Sequence, residues 1–184
     1  GSEWPKQQSP RRPILSDTSQ PTTAGSDPAT QTTGQTTQRK RVISHIQYIK
    51  DLSFENPNAG QQFTTESPPK IDITISVKGR AIAENQQEVD LSITARATLD
   101  DKPVFVTELT YGGRFTISGI PAEQIEPTLL IDCPRLLFPF ARRIIADCCR
   151  DGGYPPLMLE PIDFAQMYMN RKREENTKSP AAQQ

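Results

Sequence analysis

"KIDITISVKGRAIA", residues 70–83, alternates Ile71, Ile73, Ile75 and Val77 with Asp72, Thr74, Ser76 and Lys78. A period of two puts one set on each face of a strand. "QEVDLSITARATL" (87–99) repeats it, with Val89, Leu91, Ile93 and Ala95 against Asp90, Ser92, Thr94 and Arg96. "KPVFVTELTYGGRFTISGI" (102–120) is a further strand, reached through the turn "LDDK". Asp is at home in turns, so Asp100 and Asp101 read as turn residues. Gly112-Gly113 predicts a bulge or bend. The short spacings between strands predict an antiparallel meander.

Upstream lies "YIKDLSFENPNAGQQF" (48–63), the end of another strand and the start of a long connection. Ile46, Tyr48, Lys50, Leu52 and Phe54 fall on one face; Gln47, Ile49, Asp51, Ser53 and Glu55 fall on the other. Asp51 and Glu55 thus share a face, roughly 13 Å apart at ~3.3 Å per residue. By pattern alone this is a solvated face. "NPNAGQQFTTESPP" (56–69) is a long connection.

Downstream the period changes. "PAEQIEPTLLIDC" (121–133) and "PRLLFPFARRIIADCCRDGG" (134–153) read as helices. In the second, Leu137, Phe138, Ala141, Ile144, Ile145 and Cys148 follow i, i+3, i+4 spacing. Pro134 suits a first helical turn, Pro139 is near enough to the start to be tolerated, and Gly152-Gly153 suits a stop. "YPPLMLEPI" (154–162) is an apolar loop, and Asp163 caps a last helix bearing Phe164, Met167 and Tyr168. Four strands followed by helices make an α+β fold. A four-stranded sheet with two helices packed on one face leaves the other face uncovered, which predicts oligomerisation.

The 184 residues suffice for one domain. Residues 1–41 are Pro, Ser, Thr, Gln and Gly with few apolar groups, and the expectation is a disordered extension, its leading Gly-Ser a cloning remnant. The folded domain is expected over 42–170, and a charged flexible tail over 171–184. The first segment holds six basic residues and three acids, the domain eleven and seventeen, the tail four and two. The domain is therefore acidic, which disfavours nucleic acid and suits a basic partner. No stretch reaches the ~20 apolar residues of a membrane span, and the start lacks a signal-peptide layout. A soluble, non-secreted chain is expected.

Cys133, Cys148 and Cys149 are odd in number, with two adjacent, a poor disulfide framework. A dyad of His45 with one of them would be the route to an enzyme, but small apolar helix residues are the ordinary reading. No metal-ligand spacing or phosphate loop occurs, so no cofactor is expected. Phe63, Tyr154, Leu157, Met158, Leu159 and Tyr168 lie in or beside loops. They either pack across the sheet or line a groove of adaptable apolar surface.

"IKDLSFENPNA", "ELTYGGRFTISGI", "CPRLLFPFARRII" and "RDGGYPPLMLEPIDFAQMY" together resemble SecB, the bacterial protein-export chaperone family, from about Ile46 to Asn170. The resemblance implies a dimer-of-dimers tetramer in the cytoplasm without catalytic activity. It implies a holdase that keeps secretory precursors unfolded without ATP and passes them to the motor SecA. Asp51, Glu55, Val106 and Glu108 match the family's SecA-binding patch, with Val106 in place of the usual Leu. Thr107, Leu109 and Tyr111 match positions tied to tetramer assembly. The loop containing Phe63, with Gly60 where Pro is frequent, matches the connection flanking the client groove. That groove is expected to be lined by Phe63, Tyr154, Leu157, Met158, Phe164 and Tyr168. Two alternatives stand beside this reading: a SecB-like chaperone dedicated to the antitoxin of a toxin–antitoxin pair, and the cysteine enzyme.

Overall fold

The computed structural model describes residues 39–60 and 68–178. The expectation for the N-terminal extension, and Phe63, lie outside the described residues. Four strands form one antiparallel sheet: β1 (Arg41–Glu55), β2 (Lys70–Ala83), β3 (Gln86–Leu99) and β4 (Lys102–Ser118). Their order is β1-β4-β3-β2. The meander expected from the short hairpins holds for β2, β3 and β4 only. The connection over 56–69 carries the chain across to place β1 beside β4, a Greek-key order. Asp100 and Asp101 both have positive φ, 49° and 61°, as a two-residue hairpin turn demands.

Gly112 and Gly113 are regularly paired and make no bulge. They are there for clearance. A Cβ on Gly112 would lie 3.0 Å from Tyr48 Cε2 and from Lys50 Cδ, and one on Gly113 would lie 2.8 Å from Leu137 Cδ2. The irregularities are in β1, between Ser44 and Ile46 and between Ile49 and Asp51. Each leaves one residue unpaired and resets the alternation. Tyr48 therefore shares a face with Asp51, where strict alternation put it with Leu52 and Phe54.

After β4 a helical lead-in covers Ala122–Gln124, Ile125–Pro127 and the π turn Thr128–Asp132. It runs into α1 (Cys133–Asp151), which has proline in its first turn and accommodates Pro139. The C-terminus closes by two bonds, Gly153 N to Arg150 O at 3.0 Å and Tyr154 N to Cys149 O at 3.0 Å. With Gly153 at φ 88° this is a Schellman stop. The second helix, α2 (Phe164–Lys178), is capped as expected: Gln166 N donates to Asp163 Oδ1 at 3.0 Å. It continues through Arg171–Lys178, a run read from sequence as flexible tail. Arg171 bonds Glu175 one turn on at 2.9 Å, and Lys172 reaches Glu126 at 2.9 Å.

The core lies between α1 and the sheet. Leu137, Ala141, Ile145 and Cys149 are wholly buried against a face built from Val89, Leu91, Ile93, Leu109 and Phe115. Burying each large side chain contributes about 1.5–3 kcal/mol. Phe138 meets Phe164 of α2 edge-on at 6.1 Å. The opposite face of the sheet carries Arg80, Arg96, Glu108 and Arg114, all exposed.

Candidate functional site

Two surfaces lie back to back across the sheet. On the outer face, Asp51 pairs with Thr110, Ser53 with Glu108 and Glu55 with Val106. Directly paired residues of an antiparallel ladder share a face. The three acids expected to meet a partner are thus gathered with Val106, although 53 residues separate Glu55 from Glu108 in the chain. The three acids are exposed and Val106 is buried among their strands. None of the three makes an ion pair among the described residues. Arg96 stands across from Val106, with Asp72 across from Arg96.

The bulge at Lys50 sets this arrangement, and a charged network holds the bulge. Lys50 Nζ donates to Asp90 Oδ2 at 2.6 Å. The Tyr48 hydroxyl and the Arg80 guanidinium both donate to Glu88, which is 3% exposed. Glu88 is held down at about 2, first by the Tyr48 bond and then by Arg80 and Lys50, against the opposing effect of burial. Nothing in the sequence marks this network: its members come from three strands, and strict alternation puts Tyr48 on the other face.

The helical face bears the apolar site. Tyr168 and Met167 of α2 line a groove of about 280 Å³ with Ile75 and Val77 of β2 and Leu130 of the lead-in. Ile71 and Ile73 continue the same face of β2 and are 38% and 44% exposed. Sequence reasoning missed these β2 residues as a surface. Their alternation is that of core residues, but α1 lies over β3 and β4 and leaves the edge strand bare. Met158 is 56% exposed and Leu157 is half-buried. Tyr154 is half-buried: its ring lies 5.0 Å from Phe105 and its hydroxyl donates to Asn56 Oδ1 at 2.8 Å. Phe164 does not line the groove. It is 1% exposed, turned inward against Phe138, because it opens α2 on the side facing α1.

Thr107, Leu109 and Tyr111, expected at an oligomer interface, are buried within the chain at 0%, 2% and 8% exposure. Their face is the one α1 covers. Tyr111 stacks at 6.4 Å on Phe140, which is 48% exposed. Ile49 and Leu52 pair with Tyr111 and Leu109 and are 48% and 40% exposed.

The thiols are poor nucleophiles. Burial pushes Cys133 up to about 12 and raises Cys148 and Cys149, whereas the reactive species is the thiolate. His45 is exposed and its Nε2 lies 2.7 Å from Thr116 Oγ1.

Residues 35–175 match the family model described as preprotein translocase subunit SecB. The chain belongs to the SecB family. Protein-export protein SecB of Sinorhizobium medicae is 50% identical over 137 residues, covering 74% of this chain and 82% of that one. The SecB of a Bradyrhizobium strain is 53% identical over 123 residues, covering 66% and 76%. That of Zymomonas mobilis is 48% identical over 140 residues, covering 74% and 85%. The SecB-like chaperone of Mycobacterium tuberculosis, solved with a ChAD peptide from the HigA1 antitoxin, superposes with a TM-score of 0.53. It is 15% identical and the match covers 66% of this chain and 91% of that one, a likeness of fold. As a SecB, the chain is a protein-export chaperone, a role that is not enzymatic. No helix among the described residues is long and apolar enough to cross a membrane.

Proposed function

We propose that this SecB holds unfolded precursor segments in the apolar groove, in the cytoplasm and without ATP, and hands them to SecA through the acidic outer face. The observation that carries this reading is the separation of the two surfaces by one sheet: Ile75 and Tyr168 on one side, Asp51, Glu55 and Glu108 on the other. An unfolded client offers apolar side chains, and each Å² covered contributes ~25 cal/mol. A holdase of this kind competes with client folding by mass action. The exposed acids suit the basic partner, since unpaired surface charge steers association.

The proposed assembly as a dimer of dimers would cover the strip Ile49, Leu52 and Phe140, which is exposed in the single chain. Thr107, Leu109 and Tyr111 would act on assembly from beneath, by setting the pose of α1 and Phe140. The mycobacterial likeness is one of fold and adds no reason to assign a dedicated antitoxin client.

The test compares wild type with Asp51→Ala/Glu55→Ala in two assays. One is refolding of a denatured secretory precursor, and the other is equilibrium binding to SecA. The double variant is expected to slow refolding as wild type does and to bind SecA at least tenfold more weakly. Parallel loss of both activities would overturn the division of labour.

A further inference from the structure

The outer face changes sign along its length. At one end stand Asp51, Glu55 and Glu108. At the other, β1 and β4 carry Arg41, paired with Ser118, and Arg114, paired with Ile46, four residues of β4 apart. Both arginines are exposed and neither makes an ion pair among the described residues, though Arg114 hydrogen-bonds the Tyr48 hydroxyl. Glu88 pairs with Arg114 in the β3–β4 ladder, but its carboxylate is already engaged by Tyr48 and Arg80. Arg39 adds a third such cation. With Arg41 it lines a recess of about 400 Å³ at the end of the sheet, floored by Ile117 and Ile125 and bounded by Asn85. Across from Arg114, Ile46 is 53% exposed. Six residues of β4 separate Glu108 from Arg114, about 20 Å at ~3.4 Å per residue.

We propose that this basic end is a second docking subsite and that it takes an acidic peptide segment of the partner whose basic segment lies on the acids. It rests on the reading that the acidic end binds a basic partner, and it adds direction: the partner docks in one polarity. A polyanion such as nucleic acid, or an anionic membrane, is disfavoured by the same geometry. Anything extended and uniformly negative that covers Arg41 and Arg114 also meets Asp51 and Glu108. A chain whose charge reverses over about 20 Å satisfies both ends.

The test uses the full chain and labelled synthetic peptides. Each carries a lysine block, a Gly-Ser spacer of about six extended residues, and a glutamate block, made in both block orders. The control replaces the glutamates by glutamine. Anisotropy titrations at low ionic strength are expected to show one block order binding about three- to tenfold tighter than its control. Arg41→Gln/Arg114→Gln is expected to remove that gain and leave control binding as it was. Arg39→Gln/Arg41→Gln, whose sites lie away from Tyr48, is expected to reduce the gain. If the glutamates add nothing in either order, or the gain survives both variants, the second subsite is overturned. The premise is read separately: Asp51→Asn/Glu55→Asn should lose the control peptide, and retention would overturn the basic-partner reading itself. Tighter binding of a single-stranded oligonucleotide or of phosphatidylglycerol vesicles through Arg41 and Arg114 would overturn the acidic peptide as occupant.

Discussion

The Tyr154 hydroxyl donates a hydrogen bond to Asn56 Oδ1 at 2.8 Å, and Asn56 Nδ2 donates to the Gly152 carbonyl at 3.0 Å. The two residues are 98 apart in the chain. They clamp the start of the loop leaving α1 to the first residue after β1. Tyr154→Phe keeps the ring on Phe105 and loses the clamp. It is expected to lower stability by about 1–2 kcal/mol in urea titration. Asn56→Ala should do much the same, and the double variant should lose less than the two losses added.

Glu88 carries a pH dependence of definite sign. Its folded value, about 2, lies below the ordinary 4.5. Its contribution is therefore full above about pH 4.5 and is lost as pH falls towards about 2. Glu88→Gln is expected to lower stability at neutral pH by on the order of 2 kcal/mol and to flatten the acid limb of the stability curve. Tyr48→Phe removes the largest cause of the shift and should move that limb to higher pH. An unchanged acid limb in both variants would contradict the network.

The adjacent glycines should respond unequally to alanine. At Gly113 the new methyl meets Leu137 and Phe115 at 2.8 Å, inside the core. Overpacking there is expected to cost about 1–3 kcal/mol. At Gly112 it meets the Lys50 stem and the Tyr48 ring edge at 3.0 Å on the outer face. These contacts are longer and one is the flexible Lys50 stem, which can shift a few tenths of an ångström while Nζ stays on Asp90, so the loss should be smaller. Thermal melts of the two variants decide the order.

Phe164 and Tyr168 are four residues apart on α2 and should separate stability from client binding. Phe164→Ala empties a site that is 1% exposed and is expected to cost about 3–5 kcal/mol. Tyr168→Ala opens the groove wall, so its main effect should fall on the holdase assay, with a modest change in urea midpoint. Equal destabilisation by the two would place Tyr168 in the core.

Phe140→Asp introduces a charge on the exposed apolar strip while α1 remains anchored by Leu137 and Ile144. On the proposed assembly, the variant is expected to give smaller species than wild type in light scattering at micromolar concentration, with helix content retained in circular dichroism.

Much of the fold was legible in the chain because each local signal has a local cause. Ile71 to Val77 alternate because the strand is pleated. Asp163 caps α2 because its side chain reaches the Gln166 amide. The turn at Asp100 and Asp101 needs residues that tolerate positive φ. The strand order was not legible, because a long connection such as 56–69 is compatible with a meander or a Greek key. The surfaces were less legible than the strands. Asp51, Glu55 and Glu108 could be named from the family resemblance, whereas Phe164 turned inward and Ile71 and Ile73 stayed outside.

By itself, then, the sequence determined which segments are strands and helices, where they stop, and which family they resemble, since propensity, period and capping act over a few residues. Only the tertiary structure decided which faces meet. A single bulge at Lys50 reverses the sense of β1, so Tyr48 and Asp51 share a side, and pairing with β4 gathers three acids at one end and two arginines at the other. Side-chain alternation carries no memory across a bulge, and burial depends on where α1 comes to rest.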